Sequence, residues 1–141
     1  MFRQRPKCFL AEPMPPHILI VEDDSATRAA LALTFQTAGY ATNEAENGRA
    51  ALEQLRSGEP PCLILLDLMM PVMTGWQFLA ERRKDPALVA VPVVVFTAAG
   101  GYDDSMLRGL GADDVIRKPA DADQLLAAVG RRCPAPAAWT A

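Results

Sequence analysis

The chain has 141 residues, a formal net charge of −3, and 50% hydrophobic against 22% charged residues. That composition suits one soluble globular domain and excludes a disordered chain. The slightly acidic balance offers no electrostatic footprint for duplex DNA or an anionic membrane surface, and no apolar stretch reaches the ~20 residues a bilayer span requires.

Residues 1–16, MFRQRPKCFLAEPMPP, carry early positive charge but no apolar core segment, so they read as a flexible leader and not as a signal peptide. The compact part is expected over 17–132, followed by a short Pro/Ala-rich tail at 133–141 with no output domain. It opens with the apolar run HILIV and the acids Glu22, Asp23 and Asp24. The next segment, Ser25 to Ala38, predicts a helix, with Leu31, Phe35 and Ala38 on one face and Gly39 as a left-handed stop. A weaker strand, Tyr40 to Ala45, leads to a helix over Gly48 to Ser57 that Gly58, Pro60 and Pro61 terminate.

The run CLILLD, Cys62 to Asp67, is a third strand, and Gly75 to Lys84 a helix ending before Asp85-Pro86. A fourth run, VPVVVFT (Val91 to Thr97), precedes Gly100-Gly101 and a helix from Tyr102 to Leu110. After the turn at Gly111 comes a fifth strand within DDVIRKP, then a helix over Asp121 to Arg132. Asp121 and Gln124 set up its capping box, and Leu125, Leu126 and Val129 supply its apolar face. Five strands alternate with five helices, the pattern of an α/β fold with a doubly wound parallel sheet.

Apolar runs without alternation mark strands buried on both faces. Ligands of such sheets bind at the carboxyl ends of the strands. The residues there are Glu22, Asp23, Asp67, Thr97 and Lys118. Capping and dipole compensation account for Asp24, yet three acids in a row exceed that need. Asp67 closes an apolar run, so its carboxylate sits close to buried surface. Crowded carboxylates call for a cation, and magnesium suits an oxygen-rich, partly hydrated site. From spacing alone, capping and metal binding both remain open. A hydroxyl from Thr97 and an ammonium from Lys118 beside such acids would suit a transferring phosphoryl group.

The segments ILIVEDD, LILLDLMMPVMTGW, VVVFTA and GADDVIRKP together resemble a response-regulator receiver domain of two-component signalling, over about His17 to Arg132. The resemblance implies a flavodoxin-like fold with five parallel strands in the order 2-1-3-4-5. It casts Asp67 as phospho-acceptor, Asp23 and Asp67 as direct magnesium ligands, and Glu22 as a ligand through water. The backbone carbonyl of Met69 completes the shell. Thr97 becomes the switch hydroxyl, Lys118 the phosphate-pairing lysine, and Lys118-Pro119 a cis bond.

The implied partners are a sensor histidine kinase or histidine phosphotransfer protein and a downstream protein target, with homodimerisation open. Neither nucleic acid nor membrane is a direct partner. The implied activity is signalling, with at most self-phosphorylation and autodephosphorylation, in a stand-alone cytoplasmic receiver. A phosphorylation-independent interaction module is the alternative. Two positions favour it: Val115 stands where the family usually has Tyr or Phe, and Val72 where it usually has glycine. Cys62 reads as a small buried hydrophobe. With Cys8 and Cys133 it is expected to remain a reduced thiol, as in cytosolic proteins.

Overall fold

In a computed structural model, which describes residues 16–134, the apolar runs pair into one parallel sheet. The strands are β1 (His17–Val21), β2 (Ala41–Ala45), β3 (Leu63–Leu66), β4 (Val93–Thr97) and β5 (Asp114–Arg117), in the order β2-β1-β3-β4-β5. The helices are α1 (Ser25–Thr37), α2 (Gly48–Ser57), α3 (Gly75–Arg83), α4 (Pro86–Val89), α5 (Asp104–Gly109) and α6 (Ala122–Arg132).

Both faces of the sheet are covered, which is why its central strands read as unbroken apolar runs. On one face Leu19, Val21, Ile64, Leu66, Val93 and Val95 pack with Leu52 of α2, Phe78 and Leu79 of α3, and Leu107 of α5. On the other, Ile18, Ile20, Leu63, Leu65, Val94 and Phe96 pack with Phe35 of α1 and with Leu125 and Val129 of α6. Neighbouring residues of one strand thus feed opposite cores. A one-residue slip would move every side chain to the wrong layer.

Each helix start is fixed by a side chain that answers an unpaired backbone donor. Asp24 caps α1, Asn47 caps α2 and Asp103 caps α5. Thr74 with Gln77, and Asp121 with Gln124, close complete capping boxes on α3 and α6. These caps aim the connecting loops, and hence the residues at the strand ends.

Two expectations need correction. There are six helices among the described residues, because Asp85-Pro86 both stops one helix and starts another. The Asp85 side chain accepts from the Ala87 N–H, and Pro86 occupies the first turn of α4, where its missing donor costs nothing. In consequence β4 begins at Val93, two residues later than the apolar run. The second correction concerns the thiols: Cys62 and Cys133 form a disulfide, across 71 residues of sequence and a Cα–Cα separation of 5.7 Å. Cys62 precedes β3 and Cys133 follows α6, so the fold brings both to the same end of the sheet, within disulfide range. Cys8 lies outside the described residues, as do the rest of 1–15 and 135–141. Among the described residues no helix is long and apolar enough to cross a membrane.

Candidate functional site

Parallel pairing in register carries β1 and β3 forward together, with Val21 beside Leu66. The residues that follow therefore emerge side by side. Carboxylate oxygens of Glu22, Asp23 and Asp67 lie within 4.8 Å of one another. Glu22 and Asp67 are buried, while Asp23 faces solvent. The backbone fixes both loops: the Glu22 N–H donates to Ala45 O at 3.0 Å and the Asp67 N–H to Val21 O at 3.0 Å. Arg28, on α1, donates to the Glu22 carbonyl oxygen at 2.7 Å and ties the acidic turn to the first helix.

From the other side, Lys118 directly follows β5 and opens the cis Lys118-Pro119 bond that the resemblance implied. Its Nζ lies 2.7 Å from Glu22 Oε1 and 3.6 Å from Asp67 Oδ2. The same ammonium sits 5.2 Å above the centre of the Phe96 ring. Burial works against its charge, but the hydrogen bond to Glu22 and the nearby Asp67 outweigh it, so the Lys118 pKa is raised. Burial dominates at Glu22, which is held above the usual glutamate value despite Lys118. Three carboxylates against one ammonium leave uncompensated negative charge, a donor set that suits a hard divalent cation.

Asp67 Oδ1 accepts from the Leu68 N–H at 2.8 Å, which orients the carboxylate and turns Oδ2 towards Lys118. Beyond it the loop is unusually tight. A Cβ on Gly75 would stand 2.5 Å from the Asp67 carbonyl oxygen, so only glycine lets α3 start this close. Val72 has φ 69° and is 71% exposed, a β-branched residue in the left-handed region with no burial in return. Met69 also projects its side chain outwards.

Thr97 is fully buried at the end of β4, and its Oγ1 accepts from the Ala99 N–H at 3.1 Å. The five residues expected at the site are thus on adjacent strand ends. Lys118, Glu22 and Asp67 are in direct contact, Asp23 joins them at carboxylate range, and Thr97 is engaged with its own loop.

A match to the family model of the response regulator receiver domain spans residues 18–130, nearly all of the described chain. The chain is a response-regulator receiver domain. The phosphate regulon transcriptional regulatory protein PhoB of Escherichia coli (strain K12) is 39% identical over 119 residues, covering 82% of this chain and 51% of that protein. The DNA-binding dual master transcriptional regulator RpaA of Synechocystis is 36% identical over 119 residues, covering 81% and 47%. The receiver spans about half the length of these relatives. Among solved structures, the receiver domain of a signal transduction histidine kinase from Syntrophus aciditrophicus aligns with a TM-score of 0.77 at 33% identity, covering 84% of this chain and 89% of that one. The Vibrio cholerae chemotaxis protein CheY4 aligns with a TM-score of 0.77 at 28% identity, covering 84% and 99%.

The receiver's departures have visible structural counterparts. Val115 is half-buried and packs on the core behind β5. Arg117, one strand position before Lys118, reaches the opposite loop instead. Its Nη1 donates to Ala99 O at 2.8 Å, and its Nη2 to Tyr102 O and Asp104 Oδ1, each at 3.0 Å. Tyr102 in turn packs against Trp76 at the start of α3, with ring centres 4.6 Å apart and planes tilted by 49°. Sequence reasoning singled out neither Arg117 nor Arg28. An arginine carries no local signal that tells which distant carbonyl it will reach.

Proposed function

We propose that the receiver takes a phosphoryl group from a phosphohistidine of a sensor histidine kinase or histidine phosphotransfer protein onto Asp67, and signals by protein contact. The observation carrying this reading is the position of Asp67 Oδ2, 3.6 Å from Lys118 Nζ and amid two further carboxylates. A carboxylate is already a nucleophile and needs no general base. An Asp67 oxygen forms the new P–O bond while the P–N bond to the donor imidazole breaks, and that electron pair leaves with the ring nitrogen. Catalysis is then positioning and charge compensation.

Glu22, Asp23 and Asp67, with the Met69 carbonyl, are the groups that would hold magnesium. When bound, the ion supplies positive charge at the phosphoryl oxygens. Lys118 exchanges part of its contact with Glu22 for a phosphoryl oxygen. The Thr97 hydroxyl donates to another, drawing Ala99 with it through their existing hydrogen bond. Because Ala99 is also held by Arg117, that pull reaches β5 without an aromatic at position 115. The output is the surface of α5, β5 and α6, a packed element with two arrangements biased by one charge event.

The test is intact mass after incubation with magnesium and acetyl phosphate. One phosphate adduct on the native chain and none on Asp67→Asn is expected; an adduct that persists in Asp67→Asn would remove Asp67 from this role.

A further inference from the structure

The geometry points to Cys62 and Cys133 as a reversible redox modification site that fastens the end of α6 to the sheet. The proposal goes beyond the phosphoryl reading and does not depend on it. The two cysteines stand at the opposite end of β3 from Asp67. Cys133 is buried as the residue that closes α6, and its N–H donates to Val129 O at 2.8 Å. Its carbonyl oxygen accepts from the Tyr40 hydroxyl. Cys62 is only partly buried, and its N–H donates to His17 O at 2.9 Å. Cys62 is thus the more accessible of the two residues, and the buried Cys133 stands within bonding range of it. That is the arrangement of an attacking and a resolving thiol.

Oxidation proceeds by exchange with a low-molecular-weight disulfide such as oxidised glutathione. The Cys62 thiolate attacks one of its sulfurs, forms a mixed disulfide and expels one small thiolate. The Cys133 thiolate then attacks Cys62 Sγ and expels the second. The two protein thiols lose two electrons and two protons, which leave on the two small thiols.

The consequence falls on α6. Apart from its apolar face, the last turn is held at the surface by Arg131 to Asp114 Oδ2 at 2.8 Å and by Arg132 to Asp113 O at 3.0 Å. Arg131 is mostly exposed, and such contacts contribute little. The disulfide is the one covalent tie between α6 and the centre of the sheet among the described residues. Reduction leaves that turn on Tyr40, Val129 and two surface arginines. Oxidation state therefore sets how firmly one side of the α5–β5–α6 face is docked.

The experiment equilibrates the full, unphosphorylated chain in glutathione mixtures from fully reduced to mainly oxidised. It counts N-ethylmaleimide additions by intact mass and follows amide exchange of α6. With Cys8 as the third thiol, uptake is expected to fall from three labels to one as the mixture becomes oxidising. Exchange in the last turn of α6 slows on the order of tenfold over the same range. Cys133→Ser, and the more conservative change at the partly buried position, Cys62→Ser, hold the fast-exchanging state in every mixture. Uptake of three labels under all conditions overturns the proposal. So does a pair that stays closed in excess reduced glutathione, or α6 exchange that ignores the labelling state.

Discussion

Lys118 lies 2.7 Å from Glu22 and 3.6 Å from Asp67, so one ammonium serves two carboxylates before any phosphoryl group arrives. Removing it leaves both acids buried without their cation. Lys118→Ala is expected to slow phosphorylation by acetyl phosphate about 100-fold, the size typical of losing one charge-stabilising group. Magnesium affinity should hold or rise, because a competing cation has gone. Stopped-flow phosphorylation and calorimetric magnesium titration separate the two effects, and equal losses in both would contradict them.

Burial raises the Glu22 pKa above its usual value of 4.5, with Lys118 opposing. A proton therefore competes for Glu22 at a higher pH than it would for an exposed glutamate. Metal binding needs the ionised form, so magnesium affinity should fall as pH drops through this raised value, by up to about tenfold per pH unit for one proton displaced. Glu22→Gln should bind magnesium more weakly throughout and lose that part of the pH slope. Calorimetry between pH 7 and the acid limit of folding checks it, and an unchanged slope in the variant would count against Glu22 as the titrating group.

Arg117 spans from β5 to the loop after β4 and the start of α5 by bonds to Ala99, Tyr102 and Asp104. Its loss should uncouple the output face from Asp67. In Arg117→Ala the phosphate adduct should form at nearly the native rate, while the phosphorylation-induced change in α5 amide exchange shrinks severalfold. Arg117→Lys keeps the charge but not the fork that reaches three acceptors, so it should restore little. A full α5 response in Arg117→Ala would show that the signal travels by another route.

Much of this was legible in the sequence for definite physical reasons. Strands buried on both faces announce themselves as runs such as CLILLD and VVVFT. Their carboxyl ends must then converge, which brings Asp67, Glu22 and Lys118 to one edge. Caps are local, so Asp24 and the Asp121–Gln124 box could be read directly. The pairing of Cys62 with Cys133 is not legible, because their proximity depends on where α6 ends over the sheet, and no spacing rule encodes that. The bonds of Arg117 and the Trp76–Tyr102 contact are hidden for the same reason. Each involves a long side chain whose partner is set by tertiary packing. The extra turn at Pro86–Val89 was hidden because Asp-Pro signals a helix stop and a helix start alike.

Val72 is strained and exposed at once, with φ 69° and no core contact to offset it. A left-handed β-branched residue costs about 1–3 kcal/mol, and the glycine that relieves it gives back roughly 0.5–1 kcal/mol in chain entropy. Val72→Gly should therefore stabilise the receiver by about 1 kcal/mol in urea unfolding. A loss of stability would mean that the side chain makes a contact worth more than its strain.

Arg82 ties three segments with one guanidinium. It is 3% exposed on α3, and its Nη2 donates to Val89 O at 2.9 Å and Val91 O at 2.6 Å, at the turn between α4 and β4. Its Nη1 reaches Gly111 O at 3.4 Å, at the turn between α5 and β5, and its Nε has no partner among the described residues. Burial lowers its pKa, with Asp113 opposing, yet an arginine remains charged at any pH the fold tolerates. The carbonyl of the buried Val91 would otherwise lack this donor, and those of Val89 and Gly111 accept at part-buried positions. Arg82→Met keeps most of the stem's volume but strands those oxygens, and should cost ~2–4 kcal/mol. Arg82→Lys supplies a compact charge that cannot reach all three, and should recover only part. Urea midpoints of the three proteins decide it: a methionine variant as stable as the native chain would show that the buried guanidinium contributes shape alone.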